Sequence, residues 1–315
     1  MPGVRIVVTG GAGFIGANLS EFLTGRGHEV VVLDDLSTGD RSNLAGVEVR
    51  FVEGSILDPS ALDEAVGGAD AVVHLAARPS VPRSIADPMA SHAANATGTA
   101  EVLEAIRRAA GDGRPAQVIV ASSSSVYGAN PTLPKHEDLA PRPVSPYAAS
   151  KLATESYTLA WAASYGMDAL AVRFFNVFGR LQAAGHAYAA VVPAFVDAAL
   201  DGRPLPVHGD GTQSRDFTHV SSVCAVLTDA IERRIADPKP MNLAFGTRVT
   251  LLEVIGQLEE LLGSDLEVEH LPVRAGDVPH SQADTTRLRS LFPDVEPTPL
   301  TAGLESTVEW FRSRG

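Results

Sequence analysis

Thr9-Gly10-Gly11-Ala12-Gly13-Phe14-Ile15-Gly16 decides the fold. The apolar run Val4-Arg5-Ile6-Val7-Val8 precedes it, and an amphipathic stretch carrying Ile15, Leu19, Phe22 and Leu23 follows. The order is strand, glycine turn, helix. Gly10, Gly13 and Gly16 are spaced three apart, and Gly11, Gly13 and Gly16 also satisfy G-x-G-x-x-G. Glycine is needed because the backbone must turn tightly, approach a pyrophosphate and let the helix pack on its strand. Free N–H groups at the helix start then face the phosphates. The next apolar run, His28 to Leu33, suits a strand buried in a parallel sheet, and it ends in Asp34-Asp35. An acid there suits ribose hydroxyls and repels a 2′-phosphate, so the expected cofactor is NAD and not NADP.

The chain has 315 residues, 45% of them hydrophobic and 20% charged, enough for one large or two modest domains. Its formal net charge of -13 and the lack of a long basic run argue against nucleic acid as a partner. A phosphate-bearing ligand must be held by a few local arginines and backbone amides. The single cysteine, Cys224, excludes an internal disulfide and a multi-cysteine metal site; no metal is expected. Cys224 sits in an apolar helical run and reads as a buried structural thiol. Neither a signal peptide nor a bilayer-length apolar run is read, so a soluble, cytoplasmic protein without a membrane partner is expected.

Strand and helix alternate through the first half. Residues 47–52 read as a third strand, 60–66 as a helix capped by Ser60, 71–75 as strand four, 89–110 as one long helix and 117–120 as strand five. Ser145-Pro146 opens a helix running to Tyr165, with 169–172 as strand six. This pattern predicts an α/β fold, a Rossmann-type doubly wound parallel sheet with a smaller C-terminal α/β substrate domain. The expected division is 1–175 for the dinucleotide and 176–315 for a second, smaller domain, with later elements such as a 220–231 helix free to pack back onto the sheet. Helices over 251–262 and 304–311 flank a proline-rich loop at 293–299.

Tyr147 and Lys151 form Y-x-x-x-K, one turn apart on one helix face. A free tyrosine has a pKa of about 10, too high for a good base near neutrality. A nearby ammonium favours the phenolate. The strand ending Ala121-Ser122-Ser123-Ser124-Ser125-Val126-Tyr127-Gly128 supplies hydroxyls to share a substrate proton, although such serines also serve as backbone-bonding loop residues.

Together T-G-G-A-G-F-I-G, the Asp34 strand end, His74-Leu75-Ala76-Ala77, Asn95 before Gly98-Thr99, S-S-S-S-V-Y-G, S-P-Y-A-A-S-K and Arg173-Phe174-Phe175-Asn176-Val177-Phe178-Gly179 resemble the extended short-chain dehydrogenase/reductases. Within them the chain is similar to nucleotide-sugar 4-epimerases of the UDP-galactose and UDP-N-acetylglucosamine type, from the first strand to about Asp284. The resemblance implies Tyr147 as general base, Lys151 as its electrostatic partner and ribose anchor, and Ser123 on the reacting sugar oxygen. It implies a cofactor site of Gly10, Gly13, Phe14, Ile15, Gly16, Asp34, Leu36, Ser37, Thr38, Gly39, Ser55, Ile56, Leu75, Ala76, Ala77, Asn95, Ser122 and Phe175, with Tyr147 and Lys151. For substrate it implies Ser80, Ser123, Ser124, Tyr147, Asn176, Val191 and Val192, with Arg215 and Arg274 on the diphosphate, Asp277 on the uridine ribose and Ser281 at the sugar's 2-substituent. It also implies a homodimer through the helices over 89–110 and 146–165. Two positions depart from the family: Ser55 replaces an acid that meets adenine, and Arg180 replaces a proline.

The family's dehydratases carry an Asp-Glu pair after the serine, and its glucuronate decarboxylases keep the glutamate. Here Ser124 and Ser125 stand there, so elimination lacks a proton shuttle. The resemblance then implies reversible oxidation at carbon 4 of a UDP-hexose, glucose/galactose or the N-acetylhexosamines, through a transient 4-keto sugar. Ser281, where a bulky tyrosine would exclude N-acetyl groups, and Tyr188-Ala189-Ala190-Val191-Val192-Pro193 suit the N-acetyl sugars. Two alternatives stand: a UDP-glucuronate 4-epimerase with Arg180 or Arg83 on the carboxylate, and a non-catalytic NAD-sensing protein on the same fold.

Overall fold

The structure is a computed structural model that describes residues 3–184, 189–273 and 279–314. Its main sheet has seven parallel strands: β1 (Arg5–Thr9), β2 (Glu29–Asp34), β3 (Arg50–Glu53), β4 (Ala71–His74), β5 (Gln117–Ser123), β6 (Ala169–Phe174) and, much later in the chain, Met241–Leu243. They lie in the order 3-2-1-4-5-6 with Met241–Leu243 outside β6. The order reverses between β1 and β4, which opens a crevice at the carboxyl ends of the strands. The doubly wound sheet is as the sequence predicts.

Both faces of this sheet are covered, which is why its strands are continuously apolar. Ile6, Val8, Val30 and Val32 point into a core shared with α1 (Phe14–Gly25) and the helix over Val220–Glu232; Val7, Val31 and Leu33 point into the opposite core. The second core is closed by α2 (Pro59–Val66) and by Val102, Leu103 and Ile106, with Trp161 and Ala162 packed against it. Cys224 is buried in the first core, as expected of a structural thiol.

Several elements differ from the sequence reading. Asp58, not Ser60, caps α2, accepting from the Ser60 amide at 2.9 Å. The third strand begins only at Arg50. The helix expected over 89–110 is continuous but not uniform: α4 (Pro88–His92) passes through a wide π-turn over Ala93–Thr97 into α5 (Gly98–Ala110), and α3 (Val81–Ala86) precedes it. Pro88 opens α4, and Asp87 caps it by accepting from the Ala90 amide. The helix α6 (Pro146–Tyr165) starts as read, with Ser145 accepting from the Ala148 amide at 3.1 Å and Pro146 in the first turn.

The rest forms a smaller lobe. It includes β7 (Val177–Phe178), α7 (Val191–Leu200), β8 (Leu205–His208), β9 (Ser214–Arg215) and β10 (Thr218–His219). Then come α8 (Val220–Glu232) and β11 (Met241–Leu243), which return to the large sheet, followed by β12 (Val249–Thr250), α9 (Leu251–Leu262), β13 (Val268–Leu271), α10 (Thr286–Leu291) and α11 (Leu300–Arg312). The last helix starts four residues before the expected 304, because Leu300 follows Pro299 directly into the first turn. Phe178, Val192, Phe195, Leu205, Val207, Val254, Leu258, Leu304 and Val308 make this lobe's own core.

Candidate functional site

A cleft of about 970 Å³ lies over the carboxyl ends of the large sheet. The glycine turn forms its floor. Gly10 has φ +69°, and a Cβ there would stand 2.7 Å from the Ala76 amide nitrogen; one on Gly16 would stand 2.2 Å from the Gly10 carbonyl oxygen. No side chain could fit. The first turn of α1 has no side-chain cap, so its leading N–H groups face the cleft, as a dinucleotide pyrophosphate requires.

Asp34 closes the β2 end of the floor. Its carboxylate accepts from the amides of Ala12 and Leu36, each at 2.9 Å, so it fixes the turn as well as lining the cleft. Burial holds its pKa above the usual carboxylate value, opposed by these two hydrogen bonds. Beneath the turn, His74 is fully packed and burial pushes it down to about 3, so the imidazole is neutral. Thr99 Oγ1 gives its proton to the Asn95 carbonyl at 2.6 Å. His74 Nε2 therefore donates to Thr99, and Nδ1 accepts from Thr9 Oγ1 at 2.8 Å.

The end of the cleft that carries Ser123, Tyr147 and Lys151 is built from β5 and α6. Tyr147 is half-buried and lines the cleft with Ser123. Burial raises the phenol's pKa, and the neighbouring Ser123 hydroxyl opposes the rise. Ser123 accepts from the Ser125 amide at 3.2 Å, which fixes its rotamer. Lys151, one turn beyond Tyr147, is buried and donates from Nζ to the Ala121 carbonyl at 2.8 Å. Burial pushes its pKa down to about 8. Ser122 points the other way, donating at 2.5 Å to Glu155, which is paired bidentately with Arg173 at 2.8 Å. Both partners are buried. This ion pair stands behind Ser123 and ties β5, β6 and α6 together.

The cleft brings together Gly10, Gly13, Phe14, Ile15, Gly16, Asp34, Ser37, Thr38, Gly39, Ser55 and Ile56 with Leu75, Ala76, Ala77, Ser80, Ser122, Ser123, Tyr147, Lys151 and Asn176. A smaller pocket of about 220 Å³ shares Asn176, Val177 and Ala190 with it and adds Val191, Val192 and Arg215. Ser80, Asn176 and Leu181, on the cleft wall, have φ values of +98°, +33° and +69°, and Leu36 beside it +58°. Strained non-glycine backbone of this kind concentrates where binding geometry is over-determined.

Five expected residues stand off both walls. Asn95 is buried behind the cleft, its amide holding the Arg78 backbone and donating to Ser150 Oγ at 2.9 Å; the π-turn rotates it inward. Phe175 is wholly in the core beside Tyr127, and Phe174 faces the cleft in its place. Leu36 contributes its amide to Asp34 and its side chain to the core. Ser124 begins a 3-10 turn, and Ser281 spends its amide on the Ser214 carbonyl. Arg274, Asp277 and Tyr188 lie outside the described residues.

Arg180 is turned away from the cleft. It donates to Asn18 on α1 at 2.8 Å and pairs with Glu21. Arg83, by contrast, lines the cleft, as do Asp40, Asn43, Trp310 and Arg314; Gln213 and His208 line the smaller pocket. Sequence reasoning missed Trp310 and Arg314 because they arrive from the far end of the chain.

The sequence pattern of the NAD dependent epimerase/dehydratase family matches residues 6–244. The chain is 36% identical to UDP-glucose 4-epimerase of Mycolicibacterium smegmatis, with 99% of each covered. It is 35% identical to dTDP-glucose 4,6-dehydratase of Streptomyces niveus, over 98% of this chain and 93% of that one. The solved UDP-N-acetylglucosamine 4-epimerase from Methanobrevibacter ruminantium M1, in complex with UDP-N-acetylmuramic acid, superposes with a TM-score of 0.93 at 35% identity over the whole of both chains. Glycine cradle, paired Tyr147 and Lys151, doubly wound sheet and full-length similarity agree: the chain belongs to the NAD-dependent epimerase/dehydratase family and uses NAD.

Proposed function

We propose that the protein is a UDP-hexose 4-epimerase. One observation carries this reading. Among the described residues, the carboxylates lining the cleft are Asp34, Asp35 and Asp40, all at the β2 end, far along the sheet from Tyr147. The reactive end offers Tyr147, Ser123 and Lys151. Ser124 and Ser125 follow Ser123, and the Ser125 hydroxyl is buried without a partner. Elimination of water needs a second acid–base group beside the sugar, whereas exchange at one hydroxyl needs a single one.

NAD, held by the glycine turn and by Asp34, supplies reversible removal of hydrogen from carbon 4. Tyr147 takes the proton of the 4-hydroxyl and later returns it. Ser123 shares that oxygen, and Lys151, as ammonium, favours the phenolate form. Asn176, Arg215 and the uncapped start of α7 suit the sugar nucleotide's diphosphate. The smaller pocket beside them suits its base.

A second reading, a UDP-glucuronate 4-epimerase, is favoured by Arg83 on the cleft wall, a cation able to meet a carboxylate at carbon 5. NMR of the purified holoenzyme with UDP-glucose, UDP-N-acetylglucosamine and UDP-glucuronate separates the two. Interconversion of either neutral sugar with its 4-epimer is expected. Turnover of glucuronate alone selects the second reading, and a 4-keto-6-deoxy product rejects both. We also propose a homodimer through α5 and α6.

A further inference from the structure

The helix α11 belongs to the small lobe by packing. Its buried face, Leu304 and Val308, sits in the core that holds Val192 and Phe195 of α7 and Val254 and Leu258 of α9. Its other end leaves that lobe and reaches the large cleft, where Trp310 and Arg314 form part of the wall. The reach is ordered. The Arg314 amide donates to the Phe311 carbonyl at 3.1 Å, continuing the helix past its last full turn. The guanidinium lies over the Trp310 ring, 4.9 Å from its centroid, which restricts the arginine's rotamers and leaves its N–H edge free to meet oxygen.

What it faces is the cofactor loop. Asp40 and Asn43 are pinned to the glycine turn through the Ala12 carbonyl, by the Asp40 amide at 3.1 Å and by Asn43 Nδ2 at 2.9 Å. Asp40's carboxyl is held below its usual value first by hydrogen bonds from Ser42, and Arg314 adds to that from across the cleft. Three acids, Asp34, Asp35 and Asp40, line this side of the cleft, and a dinucleotide brings a diphosphate of its own. Among the described residues the other cations of the wall are Arg83 on α3 and Lys151 at the reactive end. An anion seated beside three carboxylates needs a local cation.

We propose that the end of α11 is a cofactor contact carried by the small lobe, with Arg314, stacked on Trp310, holding the phosphate-bearing side of bound NAD. Cofactor retention is thereby tied to the lobe proposed to take the sugar nucleotide, and any coupling between the two ligands is reciprocal. The inference needs the NAD site and nothing of the reaction catalysed.

The test is NAD binding to the full chain stripped of cofactor. Arg314→Gln should weaken NAD roughly 3- to 10-fold, the scale of a partly exposed charge contact, and Arg314→Lys should recover part of that loss. The salt dependence of binding should flatten in Arg314→Gln, and the thermal midpoint of the stripped protein should not move, because Arg314 is exposed. The chain has two tryptophans, so in a Trp161→Phe background Trp310 emission reports alone and should change on saturation with NAD. A change in affinity below threefold in Arg314→Gln, or an emission blind to NAD, overturns the proposal. Failure of every UDP-sugar to turn over would leave this result standing, and failure here would leave the epimerase reading standing.

Discussion

In the proposed mechanism Tyr147 and Lys151 divide one task between a proton carrier and a charge. Tyr147→Phe keeps the ring and loses only the phenol oxygen, so NAD and UDP-sugar binding should persist while turnover falls by about 10²–10⁴-fold. Steady-state rates beside equilibrium binding check both halves. Lys151 makes a pH prediction. Its folded pKa is depressed to about 8, against about 10.4 in an unfolded chain. Between those values the unfolded state holds a proton that the folded state has released, so this contribution to stability rises with pH across that window and is flat outside it. Relative to Lys151→Met, the stripped parent protein should gain up to about 1.4 kcal/mol per pH unit between pH 8 and 10. Chemical denaturation of both proteins at three pH values measures it; a constant difference would mean that the ammonium is solvated. These two residues were legible because Y-x-x-x-K encodes its own geometry. The neutral state of His74 was not, since its partners Thr9 and Thr99 come from two other elements.

Among elements, β5 and α6 matter most, and what holds them is the Glu155–Arg173 pair. Arg173 is 2% exposed, with one guanidinium nitrogen already lacking a partner. Glu155→Leu would leave that cation uncompensated and Ser122 with only the Lys151 carbonyl, 3.4 Å away, as acceptor. The expected cost is about 3–5 kcal/mol in urea unfolding. A loss below about 1 kcal/mol would show that water reaches the pair. Nothing in the sequence flagged Glu155, because an acid four residues after Lys151 looks like any surface i,i+4 partner. The glycine turn and α6 were readable from local chemistry alone: spacing in one, Ser145-Pro146 in the other. The π-turn inside the 89–110 helix was not, because a widened turn over Ala93–Thr97 has no sequence signature and comes with Asn95 reaching Arg78 and Ser150.

At the scale of the molecule, the outer face of α6 carries Tyr157, Trp161 and Tyr165 in a ladder with ring centroids 5.9 and 5.8 Å apart. Tyr157 is 40% and Tyr165 48% exposed, which suits burial against a second copy. Light scattering should give the mass of two chains, and Tyr157→Glu with Tyr165→Glu should halve it; a monomeric parent would refute the dimer. The cofactor half was readable as a continuous stretch, but the cleft was not, because Trp310 and Arg314 complete it from the opposite lobe. The same interleaving governs β11. It pairs with β6 through Met241 to Leu243, and α8 just before it covers α1 with Val223, Cys224 and Leu227. The NAD-binding half is therefore not portable. A fragment ending at residue 175 would present the bare ladder of β6 and an uncovered apolar face, the two features that recruit other chains. It should emerge as an aggregate, and the protein can be borrowed by engineers or by evolution only whole.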